Sequence, residues 1–119
     1  MLPDTLDIIR LLEEKLSSAT IKESIIYWYR KIFAKGETFH AGSAIITVPF
    51  RSTLVFIDLK PKANWEHPCQ YFFISDETDL APYIVEATFP PFMDTPPDDY
   101  IVLLRYGIKP ADNRNFNPY

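Results

Sequence analysis

The apolar positions of the first 36 residues recur at helical spacing. Between Asp4 and Leu16 the apolar side chains share one side of a helix and the charged ones lie opposite, which predicts an amphipathic helix capped by Asp4. Residues 20–23 have the Thr-x-x-Glu pattern of a capping box, and Gly36 is a natural helix end. We therefore predict a helical hairpin over residues 1–36. The apolar face of its second helix would consist of Ile25, Trp28, Tyr29, Ile32 and Phe33.

After Gly36 the pattern changes to that of β-strands. Segments rich in Ile, Val, Thr and aromatic residues alternate with turn residues. They predict strands at residues 43–48, 53–59, 69–75, 83–89 and 99–106, the first two forming a hairpin. Helices followed by strands predict an α+β fold, with the helical hairpin packed on one face of a mostly antiparallel sheet of about five strands. We expect a single domain over residues 1–119, with the sheet at 42–107 and a tail at 108–119.

The predicted central strands are apolar on both faces. In residues 54–59, for example, Val55 and Ile57 alternate with Leu54 and Phe56. The helices can cover one face only, and large exposed apolar patches are rare on monomers. The second face would be covered by the proline-rich segment 90–97 and the tail, by a second copy or another protein, or by closure of the sheet around a pocket.

Composition favours the protein partner. The chain has a net charge of −4 and 15% aromatic residues, and no motif that specifies a reaction. We expect a small acidic accessory, inhibitory or regulatory subunit, not an enzyme. It would dock or dimerise through an aromatic-rich sheet face and be steered toward a basic partner. The expected contact residues are Phe56, Tyr71, Phe73, Tyr83, Phe92 and Met93.

The alternative is a small-ligand-binding or enzymatic domain whose cone-shaped sheet encloses Asp58, His67, Cys69 and Glu86. On an extended chain His67 and Cys69 point to the same side, as a catalytic thiol–imidazole pair or two metal ligands would require. His40 is the only other histidine. A lone cysteine in an aromatic strand is more often a small buried hydrophobe, so the structural role is favoured and no metal or cofactor is expected.

Several classes of function are disfavoured. Only three glycines are present, so neither the dinucleotide-binding fingerprint nor the P-loop can be written on the chain. The negative charge disfavours nucleic acid, although Arg30 and Lys31 on the second predicted helix could contact phosphates. The start lacks the pattern of a signal peptide, no apolar run approaches ~20 residues, and Cys69 has no disulfide partner. We expect a cytoplasmic protein.

Overall fold

Two short helices precede the strands in the computed structural model, which describes residues 2–62, 67–75, 81–92 and 96–108. Asp4 caps the first helix, as predicted, by accepting a hydrogen bond from the Leu6 amide. The second helix is capped by Ser17, which accepts from the Thr20 amide at 3.1 Å. The elements are α1 (Thr5–Lys15), α2 (Ser18–Glu23), β1 (Ile25–Phe33), β2 (Thr38–Ala41), β3 (Ala44–Thr47), β4 (Ser52–Asp58), β5 (Cys69–Ser75), β6 (Tyr83–Ala87) and β7 (Tyr100–Arg105).

The strands form one large sheet and one separate hairpin. The large sheet has five antiparallel strands in the order β6-β5-β4-β1-β7, and β2 pairs only with β3. The predicted α+β class, with helices at the N-terminus followed mainly by strands, is confirmed. Of the predicted tail at residues 108–119, the structure describes only Ile108, which pairs with Arg105.

The extent predicted for the second helix is wrong. The helix ends at Glu23, and residues 25–33 form the strand between β4 and β7. Ile25 and Tyr27 face one side of the sheet, while Ile26 and Trp28 face the other, and all four are buried. An unbroken apolar run satisfies helical and strand spacing alike. Burial on both faces and the abundance of β-branched and aromatic side chains favour the strand.

The helices cover one face of the large sheet, which we call the helix face. Ile8 and Leu12 of α1 and Ile21 of α2 pack on it. Two linked hydrogen bonds accompany this apolar packing. The Trp28 indole donates to the Thr53 hydroxyl at 2.9 Å, and that hydroxyl donates to the Tyr29 carbonyl at 2.9 Å. The strand residues buried on the helix face are Ile26, Trp28, Val55, Ile57, Phe72, Ile74, Leu103 and Leu104.

The opposite face, which we call the hairpin face, is covered by the β2–β3 hairpin. Ala41, Ile46 and Val48 pack on it, and Phe39, Phe50, Phe89 and Phe92 lie partly buried around them. Gly42 makes the hairpin turn at φ +65, and a Cβ there would lie 2.4 Å from the Phe89 ring. The predicted hairpin of residues 43–48 with 53–59 is therefore wrong, because β3 pairs with β2. The strand residues buried on this face are Ile25, Tyr27, Phe33, Leu54, Phe56, Cys69, Tyr71, Phe73, Tyr100 and Val102.

Candidate functional site

Three of the four predicted pocket residues meet at one end of the β4–β5 pair. Asp58 ends β4 and is the cross-strand partner of Cys69, which begins β5. His67 precedes Cys69 by two residues, and its Nε2 lies 2.6 Å from Asp58 Oδ1. Asp58 and His67 are 3% and 6% exposed. Asp58 is thus the residue that links the other two, through a hydrogen bond to His67 and a cross-strand pair with Cys69.

The fourth residue, Glu86, does not belong to this cluster. It lies on β6 opposite Gln70, one register position away from the Cys69–Ala87 pair, and so on the other face of the sheet. Its carboxylate is exposed and accepts a hydrogen bond from Gln70 Nε2 at 2.7 Å. Glu86 is a solvated charge on an edge strand.

The chemistry of the cluster is unsuited to a nucleophilic thiol. Cys69 is fully buried, and its Sγ lies 3.6 Å from the Phe89 carbonyl oxygen, to which Tyr71 also donates at 2.9 Å. Burial, with smaller contributions from the charges of Asp58 and Glu86, raises the pKa of the Cys69 thiol to about 12. A reactive cysteine needs a lowered pKa and an accessible sulfur. Cys69 has the small hydrophobic role that the sequence favours.

The Asp58–His67 pair joins the end of β4 to the residue two positions before β5. Asp58 Oδ1 also accepts from the Lys60 amide at 3.2 Å, so one carboxylate oxygen joins the residues that leave β4 to the residue that leads into β5. His40, the other histidine, is exposed on β2 in the separate hairpin. Within the four described ranges, no group of three or more His, Cys, Asp or Glu side chains could hold a metal ion.

Three of the six expected contact residues are buried. Phe56, Tyr71 and Phe73 are 0% exposed beneath the β2–β3 hairpin and cannot touch a partner in this folded state. Their selection is corrected, because the chain itself covers the second sheet face. Phe92 is half-buried and packs edge-on against Tyr29 and Tyr100, with centroids 5.5 and 5.1 Å away. Met93 lies outside the described residues.

Of the expected contact residues that the structure describes, Tyr83 is the exposed one. It begins β6, an edge strand of the large sheet, where Tyr83 is 51% and Ile84 41% exposed. These two side chains point to opposite faces, since Tyr83 is paired with Phe73 and Ile84 with Phe72. Ile84 was missed by the sequence analysis. The alternation within residues 83–87 is that of any strand, and exposure at this position follows from strand order.

The nucleic-acid interpretation loses the helix on which it was based. Arg30 and Lys31 lie on β1 where its register with β4 is interrupted between Tyr29 and Phe33. Both are exposed, and the Arg30 amide donates to the Asp99 carbonyl at 2.8 Å. Lys31 Nζ lies 5.1 Å from the centroid of the Phe33 ring. They are therefore not part of a basic helix face.

Comparisons of the chain with protein-family models, with curated proteins and with solved structures found no match. In the part of the chain that the structure describes, no helix has the length and apolar character to cross a membrane.

Proposed function

We propose that this protein is a small interaction module that binds an extended, basic segment of another protein along β6. The proposal is based on the exposure of this edge strand. Its outer side has no strand partner among the described residues, and its two first side chains, Tyr83 and Ile84, are large, apolar and exposed.

The backbone of β6 is suited to strand addition. It pairs with β5 without a break from Tyr83 opposite Phe73 to Ala87 opposite Cys69. In such a ladder part of the N–H and C=O groups of an edge strand points away from its neighbour. Natural edge strands are usually protected by lysine, proline or a bulge. Within residues 83–87 there is no lysine, no proline and no register shift. An added strand would satisfy these groups and supply affinity.

The side chains of β6 define the pattern of the partner. Val85 and Ala87 lie with Tyr83 toward the hairpin face, whereas Ile84 and Glu86 lie on the helix face. A bound strand would therefore place apolar residues next to Tyr83 and Val85, and a lysine or arginine next to Glu86. Cross-strand pairs of this kind stabilise a sheet by about 0.2–1 kcal/mol each.

Charge favours a basic partner over a second copy. The chain carries −4 overall, and Asp76, Glu77 and Asp79 precede β6 in the sequence. Two copies joined at β6 would bring like net charges together, whereas a basic segment would be attracted and its association accelerated.

The test is the binding of a short peptide that alternates lysine with valine, followed by fluorescence anisotropy. We expect saturable binding at low salt, weakened at least ~tenfold by Ile84→Lys, which places a like charge beside the lysines of the bound peptide. The matched control is Ile45→Lys. Ile45 is an isoleucine on another strand, β3, where it is 64% exposed. Its substitution should leave the affinity unchanged.

Three outcomes would contradict the proposal. One is equal loss in the two variants, and another is equal binding of a peptide in which aspartate replaces lysine. The third is a dimer of the free protein that Ile84→Lys dissociates, because β6 would then pair with a second copy.

A further inference from the structure

A groove lies at the end of β7. None of its lining residues belongs to β6. It consists of two adjoining cavities of about 370 and 480 Å³. Lys22 and Tyr106 line both cavities and so separate them. We call this feature the Tyr106 groove.

Tyr106 is held in an uncommon backbone conformation. Its φ is +54, and Gly107 follows at φ +80, so both central residues of the turn are left-handed. Arg105 and Ile108 close the turn with two 3.0 Å backbone hydrogen bonds, and the Tyr106 amide donates to the Ser24 carbonyl at 2.9 Å. Such a conformation is rare for a bulky residue and persists only when its surroundings impose it. Tyr106 is 36% exposed and lines both cavities.

The smaller cavity is basic. Its lining includes Lys22, Lys60 and Lys62, against one acidic residue, Glu23. All three lysines are exposed, and among the described residues none of them forms a salt bridge. Lys62 Nζ lies 5.9 Å from the centroid of the Tyr106 ring. Three cations gathered in a chain of net charge −4 produce a local positive potential that attracts anions.

The larger cavity is mainly apolar. Leu16, Ile21 and Ile108 line it, together with one acidic residue, Glu13, and Ile108 is 72% exposed. The turn packs closely on α2 here, since a Cβ at Gly107 would lie 3.5 Å from Lys22 Cγ. An exposed isoleucine beside a leucine and a second isoleucine gains stability when an apolar group covers it.

We propose that the Tyr106 groove binds an amphipathic anion, a phosphate or carboxylate joined to an apolar chain or ring. The anionic group would lie among Lys22, Lys60 and Lys62, and the apolar part would pass Tyr106 to contact Ile21 and Ile108. A free inorganic anion would use only the basic half, and an uncharged apolar molecule only the other. The two halves share Lys22 and Tyr106, so one ligand of mixed chemistry matches both.

The probe is dodecyl phosphate below its critical micelle concentration, titrated by calorimetry and by NMR of the Tyr106 and Ile108 signals. We expect saturable binding that shifts both signals, and at least ~tenfold weaker binding of inorganic phosphate. The cationic amphiphile dodecyltrimethylammonium should not shift them. Equal binding of both amphiphiles, or no saturable binding of dodecyl phosphate, would overturn the proposal.

Two sets of variants place the ligand. Lys60→Glu with Lys62→Glu should lower the affinity for dodecyl phosphate at least ~tenfold, whereas Lys31→Glu with Lys35→Glu, an equal change of charge at exposed residues elsewhere, should not. Equal losses in the two double variants would mean that only the net charge matters and would overturn the proposal.

Ile108→Ser provides a second, milder test at an exposed position. It should weaken dodecyl phosphate and leave inorganic phosphate unchanged, and an unchanged affinity for dodecyl phosphate would contradict the proposed site. Ile84→Lys on β6 should not affect either ligand, so failure here and failure of the proposed β6 interaction are separate results.

Discussion

The two edge strands of the large sheet, β6 and β7, differ in how far the rest of the chain buries their side chains. On β7, Tyr100, Val102, Leu103 and Leu104 are at most 5% exposed, because the hairpin-face cluster covers the first two and the helix-face cluster the others. On β6, Tyr83 and Ile84 are 51% and 41% exposed. These four side chains of β7 thus belong to the core, whereas the first two side chains of β6 are accessible to solvent. This difference supports β6, and not β7, as the strand that receives a partner.

The largest expected difference between the edges is in stability. Leu103→Ala on β7 removes a side chain that is 2% exposed, and should lower the free energy of unfolding by about 2–5 kcal/mol. Ile84→Ala on β6 should cost less than about 1 kcal/mol, because much of that side chain is already in water. Urea denaturation of both variants measures the two values. Equal costs would show that β6 is as much a part of the core as β7.

A smaller loss of stability is expected from a substitution in the β2–β3 turn, which packs against Phe89. Gly42→Ala would place a Cβ 2.4 Å from the ring of Phe89, which follows β6 by two residues, and would strain a backbone at φ +65. Overpacking and left-handed strain together predict a loss of about 1–3 kcal/mol. Gly36→Ala is the control, since its φ of +93 is also positive but no atom lies within 4 Å of the new Cβ. Thermal unfolding should show the larger loss for Gly42→Ala, and the reverse order would contradict the packing of Phe89.

The smallest effect concerns the thiol next to β6. Cys69 pairs with Ala87, and burial raises the pKa of its thiol to about 12 from an ordinary value of 9.0. The folded state therefore keeps a proton that the unfolded state loses, so stability should fall as the pH rises from about 9 to about 12. Cys69→Ala should remove that part of the pH dependence, as measured by urea denaturation at several pH values. At pH 8, iodoacetamide should label the native thiol only on unfolding. Rapid labelling would show that water reaches the interior behind β6.

The sequence predicted most where one local rule decides the structure. The Asp4 cap, the strands at residues 53–59 and 69–75, and the fold class follow from capping chemistry and residue spacing. The prediction of the second helix was wrong because Ile25 to Tyr29 is an unbroken apolar run, which fits the spacing of a helix and of a strand equally well. Long-range pairing with β4 and β7 decides for the strand. The apolar character of both sheet faces was recognised, but the β2–β3 hairpin that covers one of them was not.

The candidate sites show the same limit. Asp58 and Cys69 are neighbours because β4 pairs with β5, a pairing that the sequence analysis did not contain. Residue spacing indicated only that His67 and Cys69 point to the same side of an extended chain. Glu86 was grouped with them wrongly, since its face depends on the register between β5 and β6. The exposure of Ile84 depends on the position of β6 at the edge of the sheet, which spacing along one strand does not contain.

Amide hydrogen exchange along β6 and β7, with and without the lysine–valine peptide, tests the proposed docking strand most directly. In the free protein we expect the outward-pointing amides of residues 83–87 to exchange fast and to become protected at saturating peptide, while protection in β7 stays unchanged. Full protection of β6 in the free protein, or no gain when the peptide is bound, would contradict strand addition at this edge.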